Sequence, residues 1–172
     1  MYTVKKVGIE SSEQLLYLWT ETFKQAYQDI HSPENLHAYC IKNYSKENAL
    51  AVLSSNQFNC TVAYNKKQPV GYYLLNYQPC PTPLDGASSE LKQIYILANE
   101  YGKGLGKLLF KHAVNTIQQL GYQWLWLCVS DSNYRAQQFY KKLAFEPLAP
   151  GPIIDVGTDR LASTIMTLNI KQ

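Results

Sequence analysis

The segment that most constrains this chain is "NEYGKGLGKLLF", Asn99 to Phe110. Glycines stand at three alternate positions, Gly102, Gly104 and Gly106, between the β-rich run "ELKQIYIL" and a run with helical spacing. A strand that feeds through glycines into a helix commits this part of the chain to α/β structure. It also builds an anion site. The first amides of a helix have no intrahelical partner, and the macrodipole adds about half a positive charge there. Glycines allow positive φ and close approach of a phosphate to the backbone. Lys103 and Lys107 add charge beside it. A glycine C-cap would put its helix before the loop, and here the helix follows. The Walker pattern fails on spacing, and Leu108 follows Lys107 where a magnesium-binding hydroxyl is needed. The Rossmann fingerprint fails too, since the spacing is G-x-G-x-G and lies deep in the chain.

The remaining segments predict one mixed α/β domain. "YTVKKVGI" reads as a first strand, and Ser11 with Gln14 forms a capping box for a helix running to about Asp29. Ser32, Pro33 and Glu34 start a second helix, and Ser45 caps a short third one through Leu53. "FNCTVAYN" and "PVGYYLLNYQ" form a hairpin about the turn at Asn65 to Gln68. Pro79 to Ser88 is a loop with three prolines. After the glycines, Leu105 to about Leu120 reads as an amphipathic helix with Leu108, Leu109, Ala113, Ile117 and Leu120 on its apolar stripe. "WLWLCV" is a buried strand, "SDSNYRAQQFYKKLAF" a last helix and "ASTIMTLNI" a closing strand.

A length of 172 residues suits one buried core and is short for two. The formal charge of +3 comes with no basic run, so nucleic acid is not an expected partner. No apolar run is long enough to span a membrane. Cys40, Cys60, Cys80 and Cys128 have neither metal-ligand nor redox spacing, and no signal-peptide pattern precedes the first strand. Reduced thiols in the cytoplasm and no metal are expected. The 14 tyrosines fit either an aromatic-lined cleft or half-buried surface.

"EYGKGLGKLL" resembles the pyrophosphate loop of the GNAT superfamily of N-acetyltransferases, Q/R-x-x-G-x-G/A, with Tyr101 in the Gln/Arg place. "NYRAQQFYKKLAF" resembles the family's N-x-x-A-x-x-F-Y-x-x-x-G-F through Asn133, Ala136, Phe139, Tyr140 and Phe145, with Ala144 in the glycine place. At that place the helix would lack its preferred left-handed residue. "ETFKQAY", "SPENLHAY" and "QIYIL" look similar to the PaiA-type spermidine/spermine acetyltransferases of that superfamily. The resemblance implies a single GNAT-like domain over residues 1–172, with a mixed, mostly antiparallel sheet flanked by helices. It implies acetyl-CoA as co-substrate, a small-molecule amine as acceptor, and leaves a homodimer open.

Under this resemblance, Gly102, Lys103, Gly104, Leu105, Gly106 and Lys107 would hold the pyrophosphate. The backbone of Ile94, Tyr95 and Ile96 would pair with the pantetheine arm, with the Ile96 amide as oxyanion donor where the fourth and fifth strands splay. Transfer to an amine requires loss of the amine proton, a stabilised oxyanion and a protonated thiolate. Asn133 and Tyr140 share a helix stripe at a spacing of seven residues, Asn133 toward the cofactor and Tyr140 as general acid on the sulfur. Tyr140 also fits a packed core tyrosine. Period-two alternation sets Glu90 on the face of Ile94 and Ile96, as general base through water or as a solvated strand-end carboxylate. Glu21, Asp29, Glu34 and Asp85 are candidates to attract a cation, and Pro79 to Ser88 to close the acceptor side. His31, His37 and His112 show no ligand spacing, and Cys128 reads as buried filler. Acetylation of a protein N-terminus or lysine, and an inactive CoA-binding sensor, remain the rival readings.

Overall fold

In the computed structural model, which describes residues 1–171, the β-rich runs pair into a seven-stranded sheet. Its strands are β1 (Tyr2–Lys6), β2 (Phe58–Asn65), β3 (Gln68–Asn76), β4 (Ser88–Ile96), β5 (Trp124–Ser130), β6 (Glu146–Pro150) and β9 (Ser163–Asn169). They run in the order β1-β2-β3-β4-β5-β9-β6. Every pairing is antiparallel except that of β4 with β5. A separate hairpin joins β7 (Ile154–Val156) and β8 (Asp159–Leu161). The helices are α1 (Ser12–Tyr27), α2 (Pro33–Asn43), α3 (Lys46–Ser54), α4 (Leu105–Gln119) and α5 (Tyr134–Lys142).

Adjacent tyrosines on β3 fix which helix covers which face. Tyr72 OH donates to Gln93 Oε1, which also accepts from Trp19 Nε1 of α1. Tyr73 OH bonds His112 and Thr116 of α4. Neighbours on a strand point to opposite faces, so α1 and α4 cover opposite sides of the sheet. On α4 the buried stripe is Leu105, Leu109, Ala113 and Ile117, each fully removed from solvent. Burial of each large aliphatic there stabilises by roughly 1.5–3 kcal/mol. Leu108 and Leu120 are exposed instead, at 41% and 56%.

Ser32 and Ser45 cap α2 and α3, accepting from the amides of Asn35 and Asn48. Ser11 does not cap α1. It closes a short 3-10 turn, Ile9–Ser11, with φ −101 and ψ 14, and its side chain makes no cap bond. An N-cap needs extended backbone, which that turn removes. Gln14 accepts from Tyr64 OH at 2.7 Å instead. The last helix is shorter than its sequence pattern, because Asn133 caps it through Ala136 N–H at 3.0 Å and excludes Ser130 to Ser132. The β7–β8 hairpin has no sequence counterpart. It rests on α2, with Val156 buried beside Phe23, Leu36 and Cys40.

Candidate active site

β4 and β5 are paired only at Ser88–Trp124, Ser89–Leu125 and Glu90–Trp126. Beyond Glu90 the strands separate, and a cavity of ≈ 290 Å³ opens between them. Its wall includes Ile94, Tyr95 and Ile96 of β4 and Cys128, Val129 and Ser130 of β5. The Leu97 N–H donates to Val70 O at 2.9 Å. In an antiparallel ladder the facing groups alternate, so the Tyr95 amide turns to β3 and those of Ile94 and Ile96 turn to the gap. This edge of β4 offers a ligand unpaired main-chain groups.

The glycine loop ends at the rim of the same cavity. Gly102 and Gly104 adopt φ +76 and +82, which only glycine takes without strain. A Cβ placed at either would meet nothing within 4 Å, so the space over the loop is open. Gly104 stands at the N-cap of α4 and no side chain caps the helix, leaving its first amides free. Gly106 serves packing: a Cβ there would sit 3.4 Å from the Phe139 ring. Leu105 is buried and anchors the helix start. Lys107 is exposed. Lys103 Nζ is 3.2 Å from Glu100 Oε2, so its charge is already partnered. Buried Glu100 also accepts from Tyr2 OH and Asn65 Nδ2 and pins the loop to β1 and β2. Tyr101, in the Gln/Arg place of the motif, carries the Arg135 guanidinium 3.6 Å over its ring, and both residues line the cavity.

Tyr140 and Asn133 reach the wall from α5. The Asn133 Oδ1 is committed to the helix cap, which leaves its amide NH₂ as the group it can offer. Tyr140 is fixed by the helix end. Phe145 N–H donates to Tyr140 O and Ala144 N–H to Lys141 O, both at 3.0 Å, which is the Schellman pattern. Ala144 supplies the left-handed turn itself, at φ +66. The Tyr140 ring stands edge-on to Phe139 and Phe145, at 5.5 and 5.6 Å between centroids. Burial pushes its phenol well above the ordinary value, so the group remains a proton donor at neutral pH.

Glu90 does not lie where alternation places it. Leu74 pairs with Gln93 and Leu75 with Leu91, so Lys92 is an inserted, bulged residue. One extra residue reverses the alternation, and Glu90 is not on the face of Ile94 and Ile96. Its Oε2 accepts from Asn76 Nδ2 at 2.9 Å and Gln78 Nε2 at 2.8 Å, and the residue is absent from the cavity wall. The Pro79 to Ser88 loop also stays away. Cys80 packs on Trp126 and Ile165, and Asp85 accepts from Trp124 Nε1. Ile154, Val156 and Leu161 of the β7–β8 hairpin close that side instead. Neither Glu21, Asp29 nor Glu34 lines the cavity. Burial, with Glu90 adding, pushes the Cys128 thiol up to about 11, which keeps it from acting as a nucleophile.

Sequence spacing missed the part of the cavity wall made by Tyr27, Tyr39, Tyr44 and His31. Tyrosine abundance was the available signal, and it did not say which rings would meet. Phe23 stacks on Tyr39 at 4.3 Å, and Tyr27 OH lies 3.1 Å from Tyr95 OH.

Residues 13–145 match the family model described as Acetyltransferase (GNAT) family. The chain belongs to that family. It is therefore an acyltransferase, and its sheet and helices are those of the GNAT fold. A spermidine N(1)-acetyltransferase of Thermoplasma acidophilum is 25% identical over 147 residues, covering 83% of this chain and 87% of that one. An uncharacterized N-acetyltransferase of Mycobacterium tuberculosis is 26% identical over 135 residues, covering 78% and 83%. Among solved structures, the PaiA N-acetyltransferase of Thermoplasma acidophilum in complex with coenzyme A superposes with a TM-score of 0.80 at 22% identity, over 98% of this chain and 99% of that one.

Proposed function

We propose that this GNAT enzyme transfers the acetyl group of acetyl-CoA directly to a primary amine, with a polyamine such as spermidine or spermine as acceptor. The observation that carries the reading is the gap between β4 and β5, with free Ile94 and Ile96 amides, the glycine loop at its rim and Tyr140 in its wall. The open space over Gly102 and Gly104 and the uncapped start of α4 suit a pyrophosphate. Amides from Lys103 to Lys107 would hold it, and the NH₂ of Asn133 would meet the cofactor's arm. The thioester supplies an activated acetyl group.

This chain's own residues then act on the transfer. The Ile96 amide stabilises the developing oxyanion without moving. The Tyr140 phenol, held protonated by burial, gives its proton to the departing sulfur. The aromatic faces of Tyr27, Tyr39 and Tyr95 favour a cationic acceptor. The named spermidine acetyltransferase among the relatives supports the polyamine class.

The test is thiol release from acetyl-CoA with spermidine, spermine, a simple alkylamine and a basic peptide. Higher kcat/KM for the two polyamines than for the others is expected. Preference for the peptide would overturn the acceptor class, and no release with any amine would overturn the transfer reading.

A further inference from the structure

Among the described residues, one buried side-chain polar atom has no hydrogen-bond partner: His31 Nε2. The His31 side chain is 1% exposed and forms part of the cavity wall. Its other ring nitrogen, Nδ1, lies 2.6 Å from Asp159 Oδ2. The bond to His31, with Asn35 adding, holds the Asp159 carboxyl below the usual carboxylate range. An ionised carboxylate only accepts, so the shared proton belongs to Nδ1, and in the neutral imidazole the lone pair is on Nε2. A buried polar atom without a partner costs stability, and such an exception calls for a use.

The surroundings are built to hold this pair. Asp159 is delivered by the β7–β8 hairpin, whose turn uses Gly157 at φ +59. A Cβ at Gly157 would lie 2.7 Å from the Asn35 Cα, so the hairpin sits directly on α2. Thr158 N–H donates to Asn35 Oδ1 at 3.1 Å and fixes the turn. On the other side the Tyr27 ring stands 5.9 Å from His31, and Tyr27 OH reaches Tyr95 OH on β4. No carboxylate of the described residues lines the cavity. The other titratable groups of its wall are Lys92, Arg135, Cys128 and tyrosines, of which Tyr39, Tyr44, Tyr95 and Tyr140 are pushed up by burial. Beyond the wall, the hairpin's Asp155 and Arg160 pair with each other at 3.2 Å.

We infer that His31, oriented by Asp159, is the proton acceptor for the amine substrate and so a further catalytic residue. The inference rests on the acetyltransferase reading above. An incoming ammonium loses one proton to His31 Nε2, and the neutral nitrogen attacks the acetyl carbonyl. The N–C bond forms and the C–S bond breaks. The sulfur takes a proton from Tyr140. The second proton shed by the nitrogen replaces it through solvent, and the proton on His31 leaves to water. One ammonium and one thioester thus give one amide, one thiol and one proton.

The experiment measures thiol release across pH for wild type, His31→Gln and Asp159→Asn, with whichever amine of the panel the wild type uses best. Acetyl-CoA-induced thermal stabilisation serves as the control for folding. Wild type should show a rising limb of kcat/KM for the amine between about pH 5 and 8, the range of an imidazole base. His31→Gln should lose about 10²-fold or more and lose that limb. Asp159→Asn, on the accessible hairpin, tests the pair even if the buried variant fails to fold. Loss of the carboxylate weakens the imidazolium, so the limb should move to lower pH with a smaller fall in rate. Wild-type turnover with an unchanged pH profile in Asp159→Asn, or in a folded His31→Gln, would overturn the inference alone. A wild type inactive with every amine would overturn both it and the transfer reading.

Discussion

Ala144→Gly should make this protein more stable, although it deletes a methyl group. Ala144 is at φ +66, where an L side chain crowds its own backbone. The strain of that region is about 1–2 kcal/mol, and glycine removes it. Against this, glycine gives the unfolded chain more freedom, which costs about 0.4–1 kcal/mol. The net expectation is a gain of about 0.5–1 kcal/mol. For a domain of this size that raises Tm by about 1–4 °C. Both Schellman bonds, Phe145 to Tyr140 and Ala144 to Lys141, survive the change because they use only main-chain atoms. The position of Tyr140 and the turnover number should therefore be preserved. Urea titration followed by far-UV circular dichroism reads the shift, with an unchanged m-value as the sign that stability changed and the compactness of neither state did. A variant no more stable than wild type would show that the left-handed turn at Ala144 is not strained as argued.

Tyr140→Phe keeps the ring between Phe139 and Phe145 and removes the hydroxyl; turnover should fall by roughly 10²–10³-fold while acetyl-CoA still binds. Near-normal turnover with chemistry rate-limiting would take Tyr140 out of the mechanism. Saturation with acetyl-CoA at a hundredfold excess over Kd should stabilise the wild type by about 2.7 kcal/mol. Gly104→Val should abolish most of that, since a β-branched residue resists φ +82, and calorimetry showing normal binding would refute the cradle. The Glu100 carboxyl is held below its ordinary 4.5 mainly by Tyr2, with Asn65 and Lys103 adding. Its contribution is therefore present above pH 4.5 and lost as the pH falls through the lowered value, so Glu100→Gln should flatten the acid limb of stability. An acid limb identical to wild type in that variant would exclude Glu100 as the acid-sensitive tie.

By itself the sequence determined the elements whose signals are local. Gly102 and Gly104 ahead of the apolar spacing of α4 announced an uncapped helix start behind a loop at positive φ, because each depends on a few neighbouring residues. Ser32 and Ser45 announced their helices for the same reason. The second motif, Asn133 to Phe145, announced a helix where α5 lies without its exact bounds, and the family resemblance singled out Tyr140. Tertiary structure alone decided the rest. The bulge at Lys92 is set by pairing with β3, not by any residue of β4, and it reversed the face on which Glu90 lies. The left-handed turn at Ala144, where Phe145 packs against Tyr140, runs against the preference of alanine. His31 and Asp159 are 128 residues apart, and only the docking of the β7–β8 hairpin on α2 makes them neighbours. Periodicity reports which face of an element is buried, and it is blind to which distant side chain that face will meet.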